Sequence, residues 1–221
     1  MDFQDLVDSP QKVKTLAGTV AFLVAFPIYF AAMPKLIDSE ISDGGSSGLT
    51  GSLIVSFEES EITLSESVTL GDGDSHDTFF DLELDSEMSI GYVELQVSCF
   101  DNDDPGPGFT DSVDGESDLG ELEGIEDQTA NGACSGGGGG GFTMRWDVTE
   151  NYTGSEYTEE NMSEGEIRNL WKDGGKGRGS WVATITATIE AAPIAGGLID
   201  NDEDFDIVWT AVHYNLSIQS A

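Results

Sequence analysis

Alternating acidic residues near the C-terminus are the strongest candidates for chemistry in this chain of 221 residues. The run contains Asp200, Asp202, Asp204 and Asp206, with Asn201 and Glu203 between them. Calcium takes about six to eight oxygen ligands, and acidic loops between strands often supply them. The spacing is not that of an EF-hand, because the glycine and the terminal glutamate of that motif are missing. We therefore predict a calcium site in this loop, with a chance cluster among 43 acidic residues as the alternative. No other cofactor is indicated.

Residues for covalent or acid–base catalysis are scarce. Neither histidine, His76 or His213, has a serine or cysteine partner at a recognisable spacing. Residues 44–48 match the nucleophile-elbow pattern G-x-S-x-G, but that motif needs a strained turn between a strand and a helix, and here it lies in a Gly/Ser-rich tether. The sequence assigns no catalytic residue, and an envelope-bound hydrolase is kept only as an alternative.

The two cysteines, Cys99 and Cys134, are predicted to form a disulfide. Both lie in the part of the chain that we place outside the cytoplasm, where disulfides persist. The bond would close a loop of about 35 residues, worth about 3–4 kcal/mol in the chain-entropy model. Two free thiols are the alternative.

Three acceptor sequons for N-glycosylation begin at Asn151, Asn161 and Asn215. The first two flank an irregular segment before a short predicted helix, whereas Asn215 lies in the last predicted strand. We expect modification at Asn151 or Asn161 before Asn215, with chance matches to a short motif as the alternative.

An uncharged apolar segment, residues 15–34, predicts a transmembrane helix. Twenty residues rising about 1.5 Å each span about 30 Å, the thickness of the bilayer hydrocarbon. Lys12 and Lys14 precede this segment and acidic residues follow it, so the positive-inside rule places the N-terminus in the cytoplasm. The predicted organisation is a cytoplasmic segment (1–14), the transmembrane helix (15–34), a Gly/Ser-rich tether (35–48) and an extracellular domain (49–221). A cleaved signal peptide and a pilin-type leader are the alternatives.

The charge balance excludes one class of partner. Eight Lys and Arg residues stand against 43 Asp and Glu residues, for a formal net charge of -35. Contacts to nucleic-acid phosphates need clustered Lys and Arg, so no nucleic-acid partner is expected. Membrane contact is predicted only through the N-terminal helix, and a protein or glycan partner stays open.

The segment after the tether alternates between apolar and polar residues with a period of two, which predicts strands with one buried face. These strands cover 53–57, 93–99, 142–149, 181–190 and 208–218, with weaker ones near 62–70 and 78–84. Short strands separated by Gly, Asp and Ser turns predict an all-β fold, an antiparallel β-sandwich.

Two segments interrupt this pattern. Residues 101–141 are rich in acidic residues and glycine, so they predict a long mobile loop. Ser163 and Glu166 form a capping box that predicts one short helix over 163–172. The basic residues Lys172, Lys176 and Arg178 follow, and we interpret them as a solvated turn, with pairing to an acidic group as the alternative.

Together these features carry a resemblance. An N-terminal anchor, a tether and an acidic β-rich domain, with Trp181, Trp209 and Tyr214 on its last strands, resemble single-pass acidic surface proteins of halophilic or marine archaea. Excess carboxylate would keep such a protein hydrated in salt, where charge fields reach only about 3 Å at 1 M. The predicted function is a membrane-anchored extracellular module for binding, adhesion or envelope structure. A filament subunit of pilin or archaellin type is the alternative.

Overall fold

The computed structural model describes residue 49 and residues 51–100, 110–134, 140–190 and 201–221. The predicted membrane helix and the tether up to residue 48 therefore lie outside the described residues, as does Asp200. Within the described ranges, no helix combines the length and the apolar character that a membrane crossing requires.

The described residues form an all-β fold of two antiparallel sheets. The strands are β1 (Leu53–Gly71), β2 (Ser75–Leu82), β3 (Ser89–Phe100), β4 (Asp111–Ser117), β5 (Thr129–Cys134), β6 (Gly140–Asp147), β7 (Tyr157–Glu159), β8 (Gly179–Thr188) and β9 (Asp202–Ser220), and the helix is α1 (Glu164–Leu170). One sheet has the strand order β6-β3-β9-β1-β7, and the other has the order β2-β8-β4-β5. The prediction of an antiparallel, sandwich-like all-β fold with a short helix is confirmed.

A main core fills the space between the two sheets. Three tryptophans lie at its centre, Trp146 of β6, Trp181 of β8 and Trp209 of β9, with ring centroids 5.3 to 6.4 Å apart. Each indole N–H finds an acceptor: Trp209 donates to Thr78 Oγ1 at 2.9 Å, and the other two donate to backbone carbonyls. Paired indole donors let these large rings be buried without an unsatisfied polar group.

The ladder between β1 and β9 pairs 19 residues of each strand and is buried on opposite faces at its two ends. Paired residues of antiparallel strands share a face, and successive residues alternate between faces. Phe205, Ile207, Trp209 and Ala211 face the main core, whereas Val212, Tyr214, Leu216 and Ile218 lie on the other face. The apolar stripe changes sides between Ala211 and Val212, so four consecutive residues, 211–214, are buried.

A second, smaller core covers the far end of that ladder. Leu53 and Val55 of β1 are fully buried there against Ile167 of helix α1. The helix begins with the predicted capping box: Glu166 N donates to Ser163 Oγ at 3.4 Å, and Ser163 N donates to Glu166 Oε2 at 2.8 Å. The prediction of a capped helix at this position is confirmed.

Three predictions about the strands were wrong in detail. Residues 111–117 and 129–134, predicted as part of a mobile loop over 101–141, form strands β4 and β5 of the second sheet. Buried Val113 and a main-chain ladder to β8 hold β4 in place, although its other inward residues are small or polar. The predicted strand 53–57 and the weaker one near 62–70 are one continuous strand, β1, and they looked separate because its buried face switches midway. The even-numbered residues of the predicted strand 208–218 do not all face one core. Those from Val212 onward pack in the smaller core, whereas Val208 lies on the partly exposed face of the sheet, away from the main core.

Candidate functional site

A cleft of about 730 Å³ lies where helix α1, the turn after it, the start of β3 and the end of β9 meet. This volume falls within the range of about 300–1,000 Å³ typical of small-molecule sites. The lining contains three basic residues (Arg168, Lys172, Arg178), two acidic ones (Glu87, Asp173), three hydroxyl or amide side chains (Ser86, Ser89, Asn215), two aromatic residues (Trp171, Tyr214), Leu216 and two glycines (Gly174, Gly175).

The cleft concentrates positive charge in a strongly acidic chain. Only five Lys or Arg residues follow residue 37, against 40 acidic residues in the same stretch. Three of the five line this cleft. The other two, Arg145 and Lys176, lie outside its lining. Four of the five lie within residues 168–178, so one short segment supplies the three that line the cleft.

Asp173 is the structural centre of the cleft. Its carboxylate is almost fully buried and accepts bonds from Arg178 Nη1 to both oxygens, each 2.9 Å long. It also accepts the backbone N–H of Ile90 and that of Gly175, both at 2.8 Å. Arg178 Nη2 in turn donates to Met88 O at 2.6 Å. These bonds tie the glycine-rich turn to the start of β3, so the cleft is fixed in shape before any ligand arrives.

Helix α1 forms the second wall and connects to the N-terminal end of the domain. Arg168 pairs with Glu164 across one turn, with a shortest distance of 2.8 Å. Glu164 Oε2 also accepts the backbone N–H of Leu49 at 3.1 Å. The bond from Arg168, followed by the bond from Leu49, lowers the pKa of Glu164. Helix α1 is therefore tied to Leu49, the first residue that the structure describes.

Tyr214 forms the buried back of the cleft. Its hydroxyl donates to Trp171 O at 2.6 Å, and the Trp171 indole donates to the Tyr157 hydroxyl at 2.7 Å. The Tyr214 ring stacks on Tyr152 with centroids 4.5 Å apart. Burial raises the pKa of Tyr214, so its hydroxyl stays protonated and keeps donating at neutral pH.

Lys172 is the cation of the cleft that is available to a ligand. Its side chain is exposed, and among the described residues no carboxylate lies within ion-pair distance of its ammonium. Arg168 and Arg178 are instead engaged by Glu164 and Asp173. A ligand anion would therefore meet Lys172 directly and the two arginines as supporting charges.

The structure brings together the predicted disulfide partners. Cys99 of β3 and Cys134 of β5 are bonded, and the bond joins the two sheets. The disulfide prediction is confirmed. The buried carboxylate of Glu203 lies within 4.8 Å of the bonded sulfur atoms, in the one potential three-ligand group found among the described residues.

The aspartates predicted to bind calcium lie along a strand. Asp202, Asp204 and Asp206 belong to β9, so their predicted place in a loop was wrong, and Asp200 is outside the described residues. Asp204 accepts a bond from Thr69 Oγ1, and Asp206 accepts one from Ser67 Oγ, each at 2.6 Å. Strand spacing separates alternate side chains by about 7 Å, too far for one ion to reach three of them without a bend. With Asp200 undescribed, calcium binding stays a prediction.

All three sequon asparagines are exposed. Asn151 lies in a turn with a positive φ of 59°, and Asn161 precedes the helix. Asn215 lines the cleft, so a sugar attached there would compete with a ligand. The expected order of modification stays a prediction and gains this steric reason.

Neither histidine is among the residues that line the cleft. His76 lies in strand β2, with Nε2 3.4 Å from Glu66. His213 is buried in β9 beside Ser60 and Ile90. In the described part of the lining there is no histidine or cysteine, so the cleft offers binding groups and not a nucleophile–base pair.

Sequence reasoning noticed the basic turn but missed its partners. From the sequence, Lys172 and Arg178 are interpreted as part of a solvated turn. Asp173 and Arg168 are not singled out there, and Tyr214 is named only as an aromatic residue of the last strands. One local signal exists: a lone aspartate followed by glycines and Arg178 is a compact turn in which a side-chain pair can form. The contacts to Met88 and Ile90, 83 to 90 positions away, have no local signal.

Comparison with known proteins adds no identification: no protein-family model matches the chain, and no curated protein matches it.

Proposed function

We propose that this protein is a ligand-binding module held on the outside of a membrane by its N-terminal segment, with the cleft beside helix α1 as its binding site. The observation that carries the proposal is that three of the five Lys and Arg residues after residue 37 line one preformed cleft. Basic residues are scarce in this acidic chain. Their grouping around one cleft therefore favours a role in ligand recognition over a role as solvated surface residues.

The shape of the cleft supports binding more than catalysis. Asp173, Arg178 and Tyr214 are locked by hydrogen bonds, and preorganised walls reduce the entropy lost when a ligand is held. Enzymes need groups that change protonation or attack substrate, whereas Arg168, Arg178 and Asp173 of the cleft are held in ion pairs. Among the described charged residues of the lining, only Lys172 and Glu87 have no ion-pair partner.

The proposed location rests on the sequence and one structural contact. The apolar segment 15–34 has the length of a membrane span, and the disulfide suits an oxidising exterior. The bond between Leu49 and Glu164 fixes the domain's first described residue beside the cleft. The binding site would then face the space near the membrane.

A ligand panel tests the proposed binding. The full chain in detergent micelles is screened against immobilised neutral, acidic and basic saccharides and peptides, beside two variants. Lys172→Gln removes the available cation, and Lys176→Gln removes the same charge four residues away, outside the cleft lining. We expect at least one ligand whose binding falls in Lys172→Gln and not in Lys176→Gln. If every ligand binds the two variants equally, the cleft is not the binding site.

Topology is tested separately. An epitope added after Ala221 should be stained on intact cells, and protease added outside should remove it. Staining that appears only after the cells are opened would contradict the proposed exterior location.

A further inference from the structure

The charges of the cleft point to the class of its ligand. We propose that the cleft binds a saccharide that carries a single carboxylate, of the uronic acid class; this inference rests on the proposed binding function and deepens it.

The charge balance of the lining selects a singly charged ligand. Of the three basic side chains in the lining, Arg168 pairs with Glu164 and Arg178 pairs with Asp173, so Lys172 is the one without an ion-pair partner among the described residues. One ligand carboxylate would pair with that single cation. A dense polyanion would bring further negative charge against Glu87, and like charges in a partly desolvated site are repulsive.

The neutral part of the lining suits hydroxyl groups. Ser86, Ser89 and Asn215 supply donors and acceptors, and Glu87 adds an acceptor. The volume of about 730 Å³ is much larger than a bare inorganic anion requires. A ring with several hydroxyls and one carboxylate uses both parts of the lining, whereas a simple anion would leave the polar part to water.

The position of Lys172 makes it the primary contact. Arg168 and Arg178 already donate to Glu164 and Asp173. In the part of the chain that the structure describes, no carboxylate lies within ion-pair distance of the Lys172 ammonium. A charge-assisted hydrogen bond from this ammonium to the ligand carboxylate is the strongest single interaction that the cleft offers. Arg168 and Arg178 would contribute positive electrostatic potential and form part of the wall of the cleft.

The test measures binding of glucuronate by calorimetry to the full chain in detergent, in about 0.1 M salt and again in about 1 M salt. The methyl ester of glucuronate keeps the ring and hydroxyls without the charge, and lactate keeps one carboxylate without the ring. We expect glucuronate to bind about tenfold tighter than either. At about 1 M salt the repulsion from the net charge of -35 is screened, so a preference for glucuronate over its methyl ester that persists there reports short-range contact with Lys172.

The same titration on two variants locates the site. Lys172→Gln should weaken glucuronate binding by about tenfold, while Lys176→Gln should change it by less than about twofold. Both side chains are exposed, so neither change should disturb folding, and unchanged unfolding midpoints verify this.

Each contrary result removes a different part of the inference. Equal binding of the methyl ester shows that the carboxylate is not recognised, and equal binding of lactate shows a general anion site. No glucuronate binding, together with a different panel ligand that depends on Lys172, overturns the uronate class and leaves the binding module standing. Equal loss in both variants shows that long-range charge, and not the cleft, governs binding.

Discussion

The buried carboxylate of Asp173 holds together segments that lie far apart in the chain. It accepts four hydrogen bonds, from Arg178, Ile90 and Gly175, while nearly all of it is removed from water. A buried charge is tolerated only when its partners satisfy it. The same argument predicts that removing one partner is costly.

Replacing Asp173 with alanine should destabilise the protein by about 3–5 kcal/mol, because Arg178 would keep a half-buried charge without its counter-ion. Asp147→Ala is the matched control. Asp147 pairs with Arg145 at 3.0 Å but is exposed, so its loss should cost less than about 1 kcal/mol. Urea unfolding of both variants makes the comparison, and equal costs would show that Asp173 is not a structural centre.

His213 should make the stability depend on pH near neutrality. Burial lowers its pKa from the ordinary value of 6.5, so the folded chain binds this proton at lower pH than the unfolded chain does. The unfolded state therefore holds more protons as the pH drops below 6.5, and this contribution to stability is full above that value and lost below it. His213→Gln should flatten the loss of stability between about pH 7.5 and about pH 5.5.

His76 provides the comparison for this experiment. It lies near the surface opposite Glu66, and His76→Gln leaves the buried imidazole of His213 in place. The pH-dependent loss should therefore persist in that variant. A loss that survives His213→Gln unchanged would assign it to other groups.

At the scale of elements, the sequence predicted those strands whose buried face is apolar throughout. In β8, Trp181, Ala183, Ile185 and Ala187 are all buried, and their period of two was visible. In β4 the inward positions are Asp111, Val113, Gly115 and Ser117. Most of these residues are small or polar, so the sequence shows no apolar stripe, and it is packing against distant segments that buries them. The cleft could not be predicted for the same reason, because Asp173 and Arg178 of its basic turn contact Ile90 and Met88, which are distant in the sequence.

The β1–β9 ladder shows a second limit of pattern analysis. A period of two predicts one face, but the apolar stripe of these strands changes sides between the two cores. Each half looks like a separate short strand in the sequence. Only the register, from Leu53 opposite Ser220 to Gly71 opposite Asp202, shows that they are continuous.

Gly115 in β4 gives a prediction at this scale. A Cβ at this position would overlap the ring of Phe142 in β6, so Gly115→Ala should cost about 1–3 kcal/mol through overpacking. Gly165 in α1 is the control, because a Cβ there meets nothing within 4 Å. Gly165→Ala should instead stabilise by up to about 1 kcal/mol, since alanine favours helix. Thermal unfolding separates the two, and a neutral Gly115→Ala would show that the sheets separate easily.

At the scale of the whole molecule, the disulfide joins the two sheets through β3 and β5. Its partners are 35 positions apart, and the segment between them includes β4. Because β4 and β5 bury few large apolar side chains, the covalent link restrains the part of the fold with the weakest core.

Reducing this disulfide should lower the free energy of unfolding by about 3–4 kcal/mol. Urea unfolding with and without a phosphine reductant measures the effect. The double variant Cys99→Ala and Cys134→Ala should be less stable and insensitive to the reductant, which controls for other actions of the reagent. A change of less than about 1 kcal/mol on reduction would contradict the role assigned to the bond.

The pairing of β1 with β9 also constrains the order of events during synthesis. Leu53 pairs with Ser220, 167 positions later, so β1 cannot complete its pairing with β9 until that residue has left the ribosome and, in the proposed topology, crossed the membrane. Such distant pairing is slow, and an unpaired strand invites pairing with other chains. The middle of β1 carries Glu58, Glu59, Glu61 and Glu66. Repulsion among these carboxylates would keep waiting copies of β1 apart until their own β9 arrives.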